Sequence, residues 1–353
     1  MAAEIHADIL PETEFADWNR LVAASPDGSI YSTPEYLDTL CAAAGGRFRI
    51  LGVRRGEELA GGVALYERDS AFGTFVEPRL LLYYNGLVLR RYDTKYPSER
   101  TARQIKVLTA LEEALDRARH GSVMLKSRGP VTDVRPFLAK GWDARPSYSY
   151  VVPLTDLPAQ WGRVEQNLRR LIERCTSQGM TLGEDDDFDA FFRLHAATMD
   201  RREVKAYLPK PAFARYFESL RRQGLCRLYH ASLADGRLAA CQLVLLGAHP
   251  VTHTVSAAGE PEFHKMGAAA FLRWKVFEAL ASLGYAANDL TDAGLNPVTH
   301  FKSQLGGDLE LSLVLQSPRT RRYRWGTGAA ALYWRARGMA GAGLRRMLGR
   351  SGS

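Results

Sequence analysis

The chain has 353 residues, 46% hydrophobic and 24% charged, a composition that suits a soluble protein of two ordinary domains. Its net charge of +8 sits at one end: residues 319–353 hold nine arginines and no Asp, Glu or Lys, which leaves about −1 for residues 1–318 and argues against a DNA-binding body. The N-terminus has no basic stretch leading into an apolar one. The longest apolar run, 238–248, is interrupted by Gln242 and falls short of the ~20 residues a membrane span needs, so a cytoplasmic chain is expected.

The chain opens on a helical pattern over 14–24, with Phe15, Trp18, Leu21 and Val22 on one face. Pro34 marks a second helix start, which buries Tyr36, Leu37 and Leu40 and stops at Gly45-Gly46. Strands 48–53 and 59–66 flank a polar turn as a hairpin, and 80–89 reads as a further strand. An amphipathic helix over 101–119, a short strand 123–126, a short helix 134–140 and a closing strand 148–154 follow. Residues 157–222 are mainly helical, with one helix across 162–179 and others in 188–203 and 211–223. The acidic run 184–187 reads as a solvated helix start rather than a metal site.

The same order then recurs. Strands 227–231 and 238–246 form a hairpin, followed by a strand 251–258 and a helix 269–283 with Phe271, Trp274, Phe277 and Leu280 at helical spacing. A short strand 288–290, a short helix 298–304 and a closing strand 309–315 end the body. PVTDVRPFLAKGW in the first half overlays NPVTHFKSQLGG in the second, which points to a duplication. The fold class expected is α/β, with two tandem domains (1–155 and 156–318), each a mixed twisted sheet flanked by helices, and a basic, aromatic tail over 319–353. Cys41, Cys175, Cys226 and Cys241 show no metal-ligand spacing, so reduced thiols and no metal are expected.

A hairpin, a strand, a long helix, a strand, a short helix and a last strand resemble the order of the GNAT acetyltransferase superfamily. The tandem pair resembles the Fem-type (FemAB-like) peptidoglycan aminoacyltransferases and their acetyltransferase relatives. NLRRLIERCTSQGMTL, LADGRLAACQLVL and LRWKVFEALASLGYAANDLTDAG resemble the family's pieces in order, and HFKSQLGG resembles its Phe-Lys-x-x-x-Gly signature.

That resemblance implies an N-acyltransferase acting on an amine of a cell-envelope or exopolysaccharide precursor, with acyl-CoA or aminoacyl-tRNA as donor. Strands 251–258 and 288–290 would be the pair that splays apart. Lys265, Met266, Gly267 and Ala268 would form the loop and helix start that cradle donor phosphates. Lys302 would contact the donor or the developing negative charge, with Phe301 stacked beside it. Asp289 and Asp292, near that strand end, are candidate catalytic carboxylates, though transfer assisted by the substrate itself would need no protein base, and His300, Arg169 and Arg170 are candidates for binding the acceptor. The first half has Phe137-Leu138 where the second has Phe301-Lys302, so the first domain reads as catalytically silent. The arginines and aromatics of 319–353 suit an anionic membrane surface. A frayed terminus, or contact with tRNA, fits the same composition. The alternative from another class is a non-catalytic, membrane-peripheral binding protein.

Overall fold

A computed structural model describes residues 4–201 and 206–318, together with Thr320 and Tyr323. The tail expected over 319–353 otherwise lies outside the described residues, as do 1–3 and 202–205.

The first half runs β1 (Ile5–Ile9), α1 (Phe15–Ala24), α2 (Pro34–Ala44), β2 (Arg47–Arg55), β3 (Glu58–Ser70), β4 (Gly73–Val76), β5 (Leu87–Leu89), α3 (Pro97–Arg117), β6 (Ser122–Lys126), α4 (Arg135–Leu138) and β7 (Asp143–Pro153). The second runs α5 (Leu157–Arg163), α6 (Gln166–Ser177), β8 (Thr181–Glu184), α7 (Phe188–Arg201), α8 (Lys210–Arg222), β9 (Cys226–Ser232), β10 (Leu238–Leu245), β11 (Val251–Gly259), α9 (Ala268–Ser282), β12 (Ala287–Asp289), α10 (Pro297–Ser303) and β13 (Asp308–Gln316).

Two expectations change. The strand expected over 80–89 shrinks to its last three residues, β5, while β4 forms earlier, before residue 80. Leu81 between them has φ 69°, a left-handed conformation no strand residue takes, and the Tyr36 hydroxyl donates to its carbonyl. The helix expected across 162–179 breaks into α5 and α6. Val164 is extended, with ψ 135°, and buries its side chain at the corner.

Among the described residues the strands form one mixed sheet in the order β1-β2-β3-β4-β6-β13-β7-β12-β11-β10-β9-β8, with β5 beside β3. The closing strands are exchanged. β7, from the first half, pairs antiparallel with β12, Asn288 opposite Val152. β13, from the second, pairs with β6, Leu315 opposite Leu125. Between them β7 and β13 pair along their length, from Asp308 opposite Val151 to Gln316 opposite Asp143. Each half thus completes the other's sheet, and neither closes alone.

Helix packing reinforces the join. Tyr36 on α2 meets Tyr216 on α8, hydroxyl to hydroxyl at 2.8 Å, inside a core that also contains Trp18, Phe191, Phe213 and Leu243. Burying such aromatics on both sides of the seam removes on the order of 150–250 Å² each from water. The halves behave as one packed body with the β11–β12 region close to its centre.

Candidate active site

β11 and β12 run parallel for three residue pairs, Val251–Ala287, Thr252–Asn288 and His253–Asp289. There β12 ends, while β11 continues to Gly259. From Thr254 onward β11 keeps β10 on one side and, among the described residues, has no strand on the other. A buried chain of side chains fixes the point of separation. Gln242 donates to Thr254 at 3.0 Å, Thr254 to Asn288 at 2.9 Å, and Asn288 to Thr252 at 2.8 Å. Side-chain hydrogen bonds in series across a sheet in this way tie β10, β11 and β12 together.

Past the end of β12 the backbone turns through two left-handed residues, Thr291 at φ 47° and Asp292 at φ 62°. For a β-branched threonine this conformation is costly. Lys302 holds it. The residue is 8% exposed, and its ammonium donates to the carbonyls of Thr291 and Asp292, the latter at 2.8 Å. The corresponding first-half residue, Leu138, is 46% exposed, so a side chain packed against the turn occurs in one copy. Phe301, next to Lys302, is half-buried against the second-half core and faces the cleft described below.

Asp289 is fully buried and saturated. It accepts from the Tyr84 hydroxyl at 2.8 Å, the Ser149 hydroxyl and the Thr291 N–H at 2.8 Å. Burial alone would raise its carboxyl pKa, but the adjacent His253, and after it Ser149 and the charge of Arg128, hold it below the usual carboxylate range. His253 lies 3.5 Å away between the rings of Tyr31 and Tyr84, and burial lowers its pKa against the pull of Asp289. Asp289 is therefore an anchor drawing together both halves rather than a carboxylate open to substrate. Asp292 differs: its side chain is exposed beside the same turn.

A cavity of about 540 Å³ opens beside the free length of β11. Ala257, Ala258 and Gly259 form one wall, the start of α9 a second, and Val298, Phe301 and Gln304 a third. Gly267, the residue before α9, has φ 102°, and a Cβ there would lie 2.6 Å from the Leu171 Cβ. Only glycine lets the loop approach α6 this closely. The loop is tied down by Arg174 of α6, which donates to the carbonyls of Lys265 at 3.1 Å and Met266 at 2.9 Å. No side chain caps α9, so its first-turn N–H groups stay available to an anion or a carbonyl oxygen.

Of the residues singled out from sequence, Gly267, Ala268 and Phe301 line this cavity. Lys265 projects into solvent, and Met266 packs against the core. α6 presents Asn167, Leu168 and Leu171 to the cavity rather than Arg169 and Arg170. His300 is exposed on α10.

A second cavity, of about 350 Å³, reaches the Thr291–Asp292 turn from the first half. Tyr31, Arg79, Tyr83 and Lys126 line it together with Val255 and Asp292. The Lys126 ammonium sits 3.3 Å from the Tyr83 ring centre, and burial lowers its pKa to about 8. Sequence reasoning missed Lys126, Tyr84 and the Thr254–Asn288 pair. The signal present was polar or charged residues inside otherwise apolar strands. What the pattern does not reveal is that strand exchange brings β6 next to the second-half site.

The Acetyltransferase (GNAT) domain family model matches residues 162–303. Among solved structures, the chain resembles the crystal structure of FemX at 12% identity and TM-score 0.69, with 88% of this chain and 96% of that one covered. It also resembles the C-terminal domain of a putative lysylphosphatidylglycerol synthetase from Agrobacterium fabrum, at 11% identity and TM-score 0.56 over 91% and 98% of the two chains. A tandem GNAT protein from the clavulanic acid biosynthesis pathway, without AcCoA, gives 14% identity and TM-score 0.51 over 90% and 99%. At these identities the likeness to solved structures is one of fold. No curated protein matches the chain in sequence.

Proposed function

We propose that this chain, a GNAT-superfamily acyltransferase with a Fem-type fold, transfers an acyl group to an amine of a cell-envelope or exopolysaccharide precursor. The observation that carries this reading is the separation of β11 from β12 beside a cavity entered by the uncapped start of α9. Acyl transfer to an amine needs donors for the developing oxyanion and a route for the amine proton. The unpaired edge of β11 supplies backbone N–H groups for the acyl carbonyl oxygen. The amine approaches from the second cavity, across the Thr291–Asp292 turn. Asp292, exposed there, is the proton acceptor in this reading, since Asp289 is saturated by its three donors. Lys302 fixes the turn that carries Asp292.

Two donors suit the cleft, acyl-CoA and aminoacyl-tRNA, and the choice sets the reaction as acetyl-type or aminoacyl-type transfer. Thermal unfolding with coenzyme A and with charged tRNA separates them. A ligand at 100-fold its dissociation constant adds about 2.7 kcal/mol to stability. A shift with coenzyme A alone assigns acyl-CoA, and a shift with charged tRNA alone assigns the aminoacyl donor. No shift with either favours a binding protein without turnover and ends the enzymatic reading.

In this reading the transfer takes place at the inner face of the membrane, with residues 319–353 meeting anionic lipid. Among the described residues no helix is long and apolar enough to cross a membrane. Co-sedimentation with vesicles containing anionic lipid should be lost when the chain is cut after residue 318, and retained binding by the shortened chain would refute this contact.

A further inference from the structure

Arg273 lies in the second turn of α9 and, among the described residues, has no charged partner to account for its burial. It is 7% exposed, and its Nη1 is sealed from solvent without a hydrogen-bond partner. Among the described residues no carboxylate pairs with it. Burial, with nothing opposing it, lowers the guanidinium pKa to about 10, so the group is still a cation at neutral pH. Buried charges in folded proteins are normally paired and hydrogen-bonded. Packing does not require this one, because apolar residues surround it on α9, with Leu272, Trp274 and Val276 all in the core.

Two further features share its cavity. The described lining residues include Arg201 and His264 with Arg273, and no Asp or Glu. Ala268, Ala269 and Ala270, the uncapped first turn of α9, line the same space. Among the described residues the cavity therefore combines a positive helix end with a buried, unpaired guanidinium and no negative charge.

We propose that Arg273 is an anion-binding residue of this cleft, taking an oxyanion, phosphate or carboxylate, carried by the acyl donor. The inference rests on the cleft being the donor site and adds a requirement to it. The donor has to present a negative group to α9, either on its phosphates or at the far end of the acyl chain. A guanidinium is suited to this because its planar fork meets either oxyanion through two parallel hydrogen bonds.

The test uses the full chain as wild type, Arg273→Met and Arg273→Lys. Thermal unfolding is followed in chloride, pyrophosphate and succinate at equal ionic strength, and then with coenzyme A. In chloride, Arg273→Met is expected to unfold at or above the wild-type midpoint, because an unpaired buried charge has been removed. Pyrophosphate or succinate should raise the wild-type midpoint and leave Arg273→Met unmoved, with Arg273→Lys between them. The anion affinity lost is expected to be about 10- to 100-fold. A response to pyrophosphate assigns the phosphates of the donor, and a response to succinate assigns an acidic acyl group. Equal anion responses in wild type and Arg273→Met would overturn the inference, as would an Arg273→Met chain that unfolds well below wild type in chloride. Coenzyme A stabilising both proteins equally would keep the donor cleft and remove Arg273 from it. An Arg273-dependent response to pyrophosphate without any response to coenzyme A would keep the anion site and remove acyl-CoA as the donor.

Discussion

Replacing Lys302 by methionine separates a direct chemical role from a positioning one. The methionine keeps most of the buried stem and deletes the ammonium, which donates to the carbonyls of Thr291 and Asp292. Each charge-assisted hydrogen bond is worth about 1.5–3 kcal/mol. Thr291 and Asp292 together store about 2–6 kcal/mol of left-handed strain, part of which is released if the turn relaxes. The net loss expected in urea denaturation is therefore about 2–3 kcal/mol. Activity should fall with it, because the relaxed turn no longer presents Asp292 to the second cavity. Glycine accepts positive φ without cost, so adding Thr291→Gly should restore about 1 kcal/mol of that stability and part of kcat. Lys302→Met that keeps wild-type stability yet loses over 100-fold in kcat would refute the anchoring argument, and the ammonium would then belong to the reacting groups.

Other outcomes follow from the same geometry. Gly267→Ala meets both a positive φ and the Leu171 side chain, so it should cost about 3 kcal/mol in denaturant and weaken donor binding; Leu171→Ala added to it should recover part of the loss, and a neutral Gly267→Ala would contradict the close approach. Glu67 is buried among Arg47, Arg49 and His120, and although burial alone would raise its carboxyl, hydrogen bonds from His120 and Arg49 push it down to about 2. Glu67→Gln should therefore destabilise by about 3 kcal/mol, read from the denaturation midpoint, and a cost below 1 kcal/mol would show these charges to be uncoupled. Lys126 has its pKa lowered from 10.5 to about 8 by burial, so its charged form opposes folding below pH 8. Between pH 8 and 10.5 the folded chain has released that proton while the unfolded chain retains it. Stability should rise across that window by up to about 3 kcal/mol, and Lys126→Met should abolish the rise. A wild-type curve without that rise would refute the burial argument.

The second-half unit from β9 to β13 was legible because its strands and helices keep clean periods and its turns carry Gly, Asp and Pro where chain geometry wants them. Phe301 and Gly267 both line the cavity beside β11. Asp289 lies at the end of β12, and its two side-chain donors, Tyr84 and Ser149, come from residues far away in sequence. The exchange of β7 and β13 left no local trace, since either strand alternates in the same way whichever neighbour it takes. Residues 80–89 misled because an apolar run says nothing of a left-handed residue such as Leu81 within it. Arg273 escaped notice for a similar reason. An arginine among apolar helical residues normally snorkels to the surface, and only the packed structure shows that this one does not.

A crystal structure of the chain soaked with coenzyme A, and in parallel with an aminoacylated tRNA acceptor-stem mimic, tests the central claim most directly. The account has one of these donors lying along β11 past Thr254, with its phosphates toward Gly267 and its acyl carbonyl at the Thr291–Asp292 turn. A donor bound elsewhere, or a cleft left empty by both at saturating concentration, would contradict it.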